Sequence, residues 1–436
     1  MLYAPPVPSR AFAWPRRSLH PSQAAPVQRP ELRAVITFIA LEAGATVRRC
    51  APRHPATLCL RRTSVPTSKP TLPRATPPRT RRRSDAPTLL DVARAAGVSE
   101  MAASSALNGG RRGSARVSTE TRERVLAAAE QLGFRPNATA RALANRRTNA
   151  IGFVANFLGE EPNLYFLEVF SGVIQGATAA GQTTAVFTLN DWAEAPARLP
   201  ALCDGRVDGL ILLGPRLQDD GSAWLPRHTP MVSVQADRSV NGAVNVESDD
   251  ESGAHGMVQR LLSMGHRRIL YVAGPSDLSG PNLRVHGYMR AHAEAGVKPA
   301  AGHVVRAPLS IEGGREAMQD WLRRHRGRQL PQAVFGGNDA IAFGCAEVLR
   351  ARGLRVPDDV SVVGYDHTLM ARWVQMATVR QPLHELGRRA VEELVRRIDT
   401  SHQGEPHAGP SSIVLPTEIV PGATLAPPRR SSLTIT

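Results

Sequence analysis

Lys69 and Lys298 are the only lysines of the chain, and neither ends a Gly-x-x-x-x-Gly frame, so a phosphate-cradling nucleotide loop is excluded. No His-Glu-x-x-His, no Gly-x-Ser-x-Gly and no Gly-x-Gly-x-x-Gly behind a strand occurs, which removes the common zinc-hydrolase, serine-hydrolase and dinucleotide frames. Cys50, Cys59, Cys203 and Cys345 have no paired metal-ligand spacing, and four cysteines in this length cannot build a disulfide scaffold. A reducing, cytoplasmic location is expected. Adjacent acids such as Asp249-Asp250 and Asp358-Asp359 point apart and read as surface caps. Neither enzyme, metal nor cofactor is expected, so the remaining chemistry is that of binding.

The elements that would position binding groups emerge from the distribution of charge. The 436 residues are too many for one ordinary domain, and 42% hydrophobic residues suffice for a sizeable core. A net charge of +16 points to a polyanionic partner, most often nucleic acid. Residues 1–86, however, hold 16 Arg and Lys against three acids, a net of +13. Residues 87–150 add +5, and the remainder is near neutral at −2. The 1–86 segment is rich in Pro, Arg, Ser and Thr and reads as a disordered extension, or as an upstream stretch wrongly included in the reading frame. Its one apolar run, 35–41, faintly suggests an export signal, and its Arg-rich, acid-poor composition also fits a transit peptide. No apolar run is long enough to span a membrane.

From Thr88 the pattern changes. Thr88 caps a short helix ending at Gly97, with Leu89, Val92, Ala93 and Ala96 on one face. Ser99 caps a second helix, Glu100 to Leu107, stopped by Asn108-Gly109-Gly110. Ser118 opens a third, to Leu132, with Val125, Leu126, Ala129 and Leu132 at core spacing. Two short helices around a glycine turn form a helix-turn-helix pattern. Beyond Asn149, apolar strand-like runs alternate with amphipathic helices, which implies parallel sheets covered on both faces and, in this length, two lobes.

The stretch Asp91-Val92-Ala93, Gly97-Val98-Ser99, Leu107-Asn108, Val117-Ser118-x-x-Thr121-Arg122, Gly133-Phe134-x-Pro136-Asn137, Ala140-Arg141-x-Leu143 and Thr148-x-x-Ile151-Gly152 closely resembles the lactose-repressor (LacI/GalR) family of bacterial transcription regulators. A small insertion at Arg111 to Ala115 interrupts it. The resemblance continues through Gly265-His266-Arg267-Arg268-Ile269, Arg284-x-x-Gly287-Tyr288, Asn338-Asp339, Val356 to Asp366 and Gln381-Pro382, so it covers about four fifths of the chain.

What the resemblance implies is an α/β chain: a helix-turn-helix DNA-binding domain over 87–135, a hinge over 136–148, and a two-lobed periplasmic-binding-protein-like core over 149–425. A disordered tail is expected over 426–436. Glu100, Met101 and Ser105 would face base edges in a palindromic double-stranded operator; Thr88, Ser99, Ser104, Asn108, Thr121 and Asn137 would lie along the DNA, several on phosphates. Leu143 would wedge into the minor groove, and Ala140 would let two hinge helices approach. Many relatives carry Thr-Val-Ser-Arg where this chain has Ala102-Ala103-Ser104-Ser105, so the half-site is expected to depart from theirs. A small-molecule effector, a sugar or sugar acid, would be held between the lobes by Arg284, Asp366 and Asn338, with Tyr165, Phe166 and Trp373 available for stacking and Gln235 where relatives often have an acid. His266 reads as structural. With no leucine heptad at the C-terminus, a homodimer is expected. The alternative is an exported solute-binding protein, which would share the lobes but would need an export signal and no helix-turn-helix.

Overall fold

The computed structural model describes residues 86–107, 117–156, 163–403, 411–429 and 433–435. The expectations placed on residues 1–85, on Asn108 to Gly110 and on the insertion at Arg111 to Ala115 lie outside the described residues, as does the side chain of Leu143.

Three helices form the N-terminal bundle: α1 (Leu89–Ala96), α2 (Glu100–Leu107) and α3 (Thr119–Gln131). Their ends are local. Thr88 and Asp91 form a reciprocal capping box on α1, and Gly97 leaves it in the left-handed conformation at φ 65°. The Ser99 hydroxyl accepts from Ala102 N (3.2 Å), and Ser118 accepts from Thr121 N (3.2 Å). Val92, Ala93, Ala96, Ala103, Ala106, Val125, Ala128 and Ala129 form the core, closed by Leu89, Val98, Leu107, Val117 and Phe134. Leu126 and Leu132, expected inside, are exposed, and Ala128 takes the inward position. Helix α4 (Ala138–Asn145) follows, capped by the Asn137 carboxamide, which accepts from Thr139 N (2.8 Å) and Ala140 N (3.3 Å).

The rest of the described chain makes two six-stranded sheets. The first has the order β11-β5-β4-β3-β1-β2 and is parallel throughout, from β1 (Ala150–Ala155), β2 (Thr183–Thr188), β3 (Gly209–Leu213), β4 (Met231–Val234), β5 (Ala243–Ser248) and β11 (Ser412–Leu415). The second has the order β12-β10-β9-β8-β6-β7: β6 (Ile269–Ala273), β7 (Val304–Arg306), β8 (Ala333–Gly336), β9 (Ser361–Asp366), β10 (Ala377–Arg380) and β12 (Glu418–Val420), the last antiparallel. Central runs such as Gly209-Leu210-Ile211-Leu212-Leu213 are wholly buried, as strands covered on both faces must be.

Helices α5 (Leu164–Ala179), α6 (Ala195–Leu202) and α12 (Leu383–Gln403) serve the first sheet. Helices α7 (Asp250–Ser263), α8 (Ser279–Glu294), α9 (Ile311–Arg324) and α10 (Asp339–Ala351) flank the second, with the short α11 (Leu369–Trp373) after β9. The chain crosses between lobes three times, after β5, after β10 and after β11. In each sheet the strand order reverses, between β1 and β3 and between β6 and β8, which sets the binding crevice at the carboxyl ends of those strands.

The C-terminal residues correct one expectation. The described part of 426–436 packs rather than trails: Thr434 bridges Gln329, Leu330 N donates to Leu433 O (2.9 Å), and Ile435 is buried against Leu322, Leu330 and their neighbours. Leu433 and Ile435 alternate with Thr434, but two apolar residues are too few to establish a strand period, so only their tertiary partner reveals them.

Candidate functional site

In the helical bundle, α2 presents Glu100 and Met101 outward, Met101 being 73% exposed, with Ser104 half-buried beside them. Ser105, expected at a base-facing position, is only 6% exposed. Its hydroxyl stands one carbon from the backbone, and the neighbouring packing covers it, so Glu100 and Met101 are left as the groups that reach out. Several of the other polar groups are already engaged as caps. Thr88 donates its hydroxyl to Asp91 Oδ2 (2.6 Å), and Ser99 and Asn137 accept helix N–H groups. The Thr121 oxygen accepts from Ser118 (2.9 Å). Arg122, Arg124, Arg135 and Arg141 are exposed along the same segment, and Ala140 is exposed on α4.

The second site is at the crevice. Arg284, on the first turns of α8, is buried and paired with both neighbouring acids: Nε donates to Asp250 Oδ1 (2.9 Å), Nη1 to Gly337 O (2.5 Å), and Nη2 lies 3.8 Å from Asp366 Oδ1. The guanidinium stacks 3.9 Å from the Tyr365 ring centroid. Burial alone would lower its pKa, but Asp250 and Asp366 outweigh that and raise it. Asp366 closes β9 and accepts from Gln381 Nε2 (2.6 Å). Gln381, at the crossing after β10, accepts in turn from Ser248 and from Gln235 Nε2 (3.0 Å), both in the first lobe. One continuous chain of polar contacts therefore joins the two sheets.

Burial raises the Asp366 carboxyl well above the usual carboxylate range, Arg284 offsetting only part of the effect. The same cause pushes Asp339 up to about 7, against the donors Thr378 (2.7 Å) and Thr368. The Tyr165 hydroxyl is buried beside Gln235, Asp366 and Asp250 without a hydrogen bond of normal geometry, and burial raises its pKa too. It is thus a protonated donor facing acids, in addition to the stacking surface expected of it. Phe166 packs edge-on against Tyr165 at 5.6 Å. Gln235, Asp366 and His367 all have left-handed backbones, at φ 51°, 108° and 59°, a strain that concentrates where binding groups are aimed.

Two expected residues behave differently. The Asn338 carboxamide oxygen caps α10 through Ile341 N (2.8 Å), and its amide donates to Leu309 O (3.4 Å), leaving one N–H for another contact. Trp373 is 75% exposed at the end of α11, outside the buried network. His266 is buried, with Nε2 on Ala426 O (3.0 Å), as a structural residue would be. Asp250, Asp339 and Gln381 were not singled out by the sequence reading. Asp249 is the surface cap expected of that acid pair, accepting from Ser252 N (3.0 Å), but Asp250 turns inward to Arg284, correcting the expectation for it.

Two contacts clasp the lobes across the crevice. Glu168 of α5 accepts from Leu369 N (2.8 Å) and Arg372 (3.1 Å), and Asp237 after β4 accepts from Ser279 N, supplying the cap that α8 lacks on its own chain segment. Each contributes about 1 kcal/mol. The double variant Glu168→Gln, Asp237→Asn is therefore expected to spread the lobes, read as a larger radius of gyration by X-ray scattering and faster hydrogen exchange at 279–282. An unchanged scattering profile would show that the clasps do not set the lobe angle.

Residues 88–137 match the model of bacterial regulatory proteins of the lacI family, and residues 258–425 match a periplasmic binding protein-like domain. The chain is 33% identical over 316 residues to the ribose operon repressor of Escherichia coli strain K12, covering 71% of this chain and 93% of that one. The transcriptional regulator CelR in complex with cellobiose is similar over 78% of this chain and 99% of its own, at 31% identity and TM-score 0.55. A lac repressor dimer bound to operator and the anti-inducer ONPF is similar over 77% and 98%, at 26% identity and TM-score 0.64. The helical bundle and the two-lobed core thus have one explanation: the chain belongs to the LacI family of bacterial regulatory proteins, as a DNA-binding transcriptional regulator and neither an enzyme nor a solute-binding protein.

Proposed function

We propose that this regulator acts in the cytoplasm as a homodimeric repressor, reading a palindromic operator and releasing or gripping it according to a sugar-like effector in the crevice. The observation that carries this reading is the polar chain Gln235–Gln381–Asp366–Arg284, which spans both lobes at the strand ends where ligands bind. A hydroxyl-rich ligand suits it, because Asp366 accepts hydroxyls while the Tyr165 hydroxyl and the Asn338 amide donate. The charge of Arg284 is already balanced by Asp250 and Asp366, which favours a neutral ligand over an added anion. Phe166 supplies an apolar face. Trp373, being exposed, is at most a rim contact.

On DNA, Glu100 would accept from a cytosine N4 amine and Met101 would meet a thymine methyl, whereas the buried Ser105 would not replace an arginine fork on guanine. Ser104, Thr121 and Asn108 would position the bundle on phosphates, with Thr88, Ser99 and Asn137 acting chiefly as caps that aim helix N-termini. Leu143 and Ala140 would meet their dimer mates at the operator centre. Selection of genomic fragments by the full chain is expected to enrich a palindrome, with binding weakened roughly a thousandfold or more between 50 and 200 mM salt. Ribose and cellobiose are the first effectors to add. Failure to enrich any palindrome would refute the regulator reading, and Asp366→Ala is expected to abolish the effector response while DNA binding persists.

A further inference from the structure

The linker into β1 ends in a seat that neither the operator nor the effector reading uses. Asp208, the residue before β3, turns its carboxylate back onto Arg147, Thr148 and Asn149. Its Oδ1 accepts from Thr148 N (2.7 Å) and the Thr148 hydroxyl (2.8 Å), and its Oδ2 from Asn149 N (2.8 Å), with Arg147 Nε 3.8 Å from Oδ2. The Asp208 side chain is only 6% exposed. Beside it, Asp208 N donates to Ala150 O (2.7 Å) and Thr183 N to Asn149 O (2.8 Å). Arg147 also donates to Asp399 near the end of α12 (2.6 Å). Arg146 and Asn149 both have left-handed backbones, at φ 53° and 52°. Such residues persist only where the surroundings hold them: Arg146 is the C-cap of α4, with Arg147 N on Ala142 O (3.2 Å), whereas Asn149 is held by the Asp208 carboxylate together with Thr183.

We propose that Asp208 is a positioning residue for DNA binding: it clamps the linker, so that a displacement of the first lobe moves α4 instead of being lost in slack chain. This rests on the reading of residues 86–145 as the DNA-binding part. The clamp is well placed for the task. Helix α12 starts two residues beyond Gln381 of the effector network and carries Asp399 toward its other end, about 24 Å from its start by helical rise. One rigid element thus touches both the crevice and Arg147. Of the two acids, Asp208 dominates, since the Arg147–Asp399 pair is partly solvated and contributes little, whereas three short bonds to a buried carboxylate are strong.

The test uses the full chain, Asp208→Asn and the milder Thr148→Val, which removes the hydroxyl that donates to Asp208 and accepts from Ala150 N (3.1 Å) but leaves the two backbone bonds to Asp208. Asp208→Asn turns one acceptor into a donor facing N–H or O–H groups. It is expected to speed hydrogen exchange across 146–150 by about tenfold or more and to loosen the backbone at Arg146 and Arg147 enough for trypsin to cut there, while cleavage within 163–403 stays slow. Affinity for a palindromic fragment selected by the wild-type chain is expected to fall about tenfold in Asp208→Asn, and by less in Thr148→Val. Wild-type exchange and cleavage in both variants would overturn the seat. A loosened linker with unchanged operator affinity would leave Asp208 purely structural and overturn its positioning role. Should the wild-type chain select no palindrome, the DNA reading itself falls, while exchange and proteolysis still score the seat.

Discussion

Arg284→Met is expected to destabilise the second lobe by about 3–5 kcal/mol, the usual cost of leaving a buried charge without its partner. Methionine nearly fills the aliphatic volume, so packing changes little and the loss is electrostatic. Asp250 and Asp366 lose their only cation among the described neighbours of the site, and Asp339, with a carboxyl already pushed up to about 7, loses a favourable field. The pH dependence separates this from simple cavity damage. Removing Arg284 raises the folded-state pKa of Asp366 further above the ordinary 3.8. A carboxyl with a raised folded pKa binds more protons folded than unfolded, so stability grows as pH falls through that folded value toward the unfolded one. Denaturant unfolding at pH 8 and pH 5 should therefore show the variant recovering part of its loss at the lower pH. A variant as stable as wild type at pH 8, or one equally damaged at both values, would mean that Arg284 does not balance these acids.

The residues of this network also mark where sequence stops being informative. The caps Thr88, Ser99 and Ser118 were legible because a cap depends on three or four consecutive residues, and α1, α2 and α3 begin and end close to where those residues put them. Central strands such as β3 and β4 were legible because a doubly covered strand must be mostly apolar, Ser233 being the one polar residue of β4. By contrast, β7 and β12 have three residues each, too few for any period, and β5, although it alternates with Val244 and Val246 inward, has only two large apolar residues and was not singled out.

Partners distant in sequence decide the rest. Asp249 and Asp250 look alike in the chain, yet successive positions at a helix start point about 100° apart, and only Arg284, 34 residues on, makes one of them a buried ion-pair member. Gln381 stood in a recognisable Gln-Pro pair without a role, because its role comes from lying at a crossing between lobes. Ser105 inherited a base-facing assignment from the position an arginine holds in relatives, but a long side chain can reach past packing that covers a short one. Tyr165 read as an aromatic surface, and only burial among acids made its hydroxyl the more specific feature.

Glycines within helices were the least legible of all, since locally they weaken a helix, and the second large effect is expected at one of them. Helices α5 and α12 cross backbone to backbone: a Cβ on Gly172 would lie 2.1 Å from His384 O, and one on Gly387 would lie 2.2 Å from Val169 O. Neither obstacle is the end of a flexible side chain, so Gly387→Ala must push the two helices apart. Overpacking of this kind costs about 1–3 kcal/mol, and a backbone obstacle belongs at the upper end. The melting temperature should fall by roughly 5–10 °C for a core of this size. The displacement also has a direction. Helix α12 begins just after Gln381, so lifting its first turns loosens the bonds from Gln381 to Asp366 and from Gln235 to Gln381, and effector affinity should fall with stability. Gly353→Ala, where φ is 75° and nothing lies within 4 Å of the added carbon, isolates the purely conformational penalty of about 1 kcal/mol and should leave effector affinity intact. If Gly387→Ala melted with the Gly353→Ala control and kept its effector affinity, the crossing of α5 and α12 would be compliant, and α12 could not act as the rigid element between the crevice and the linker.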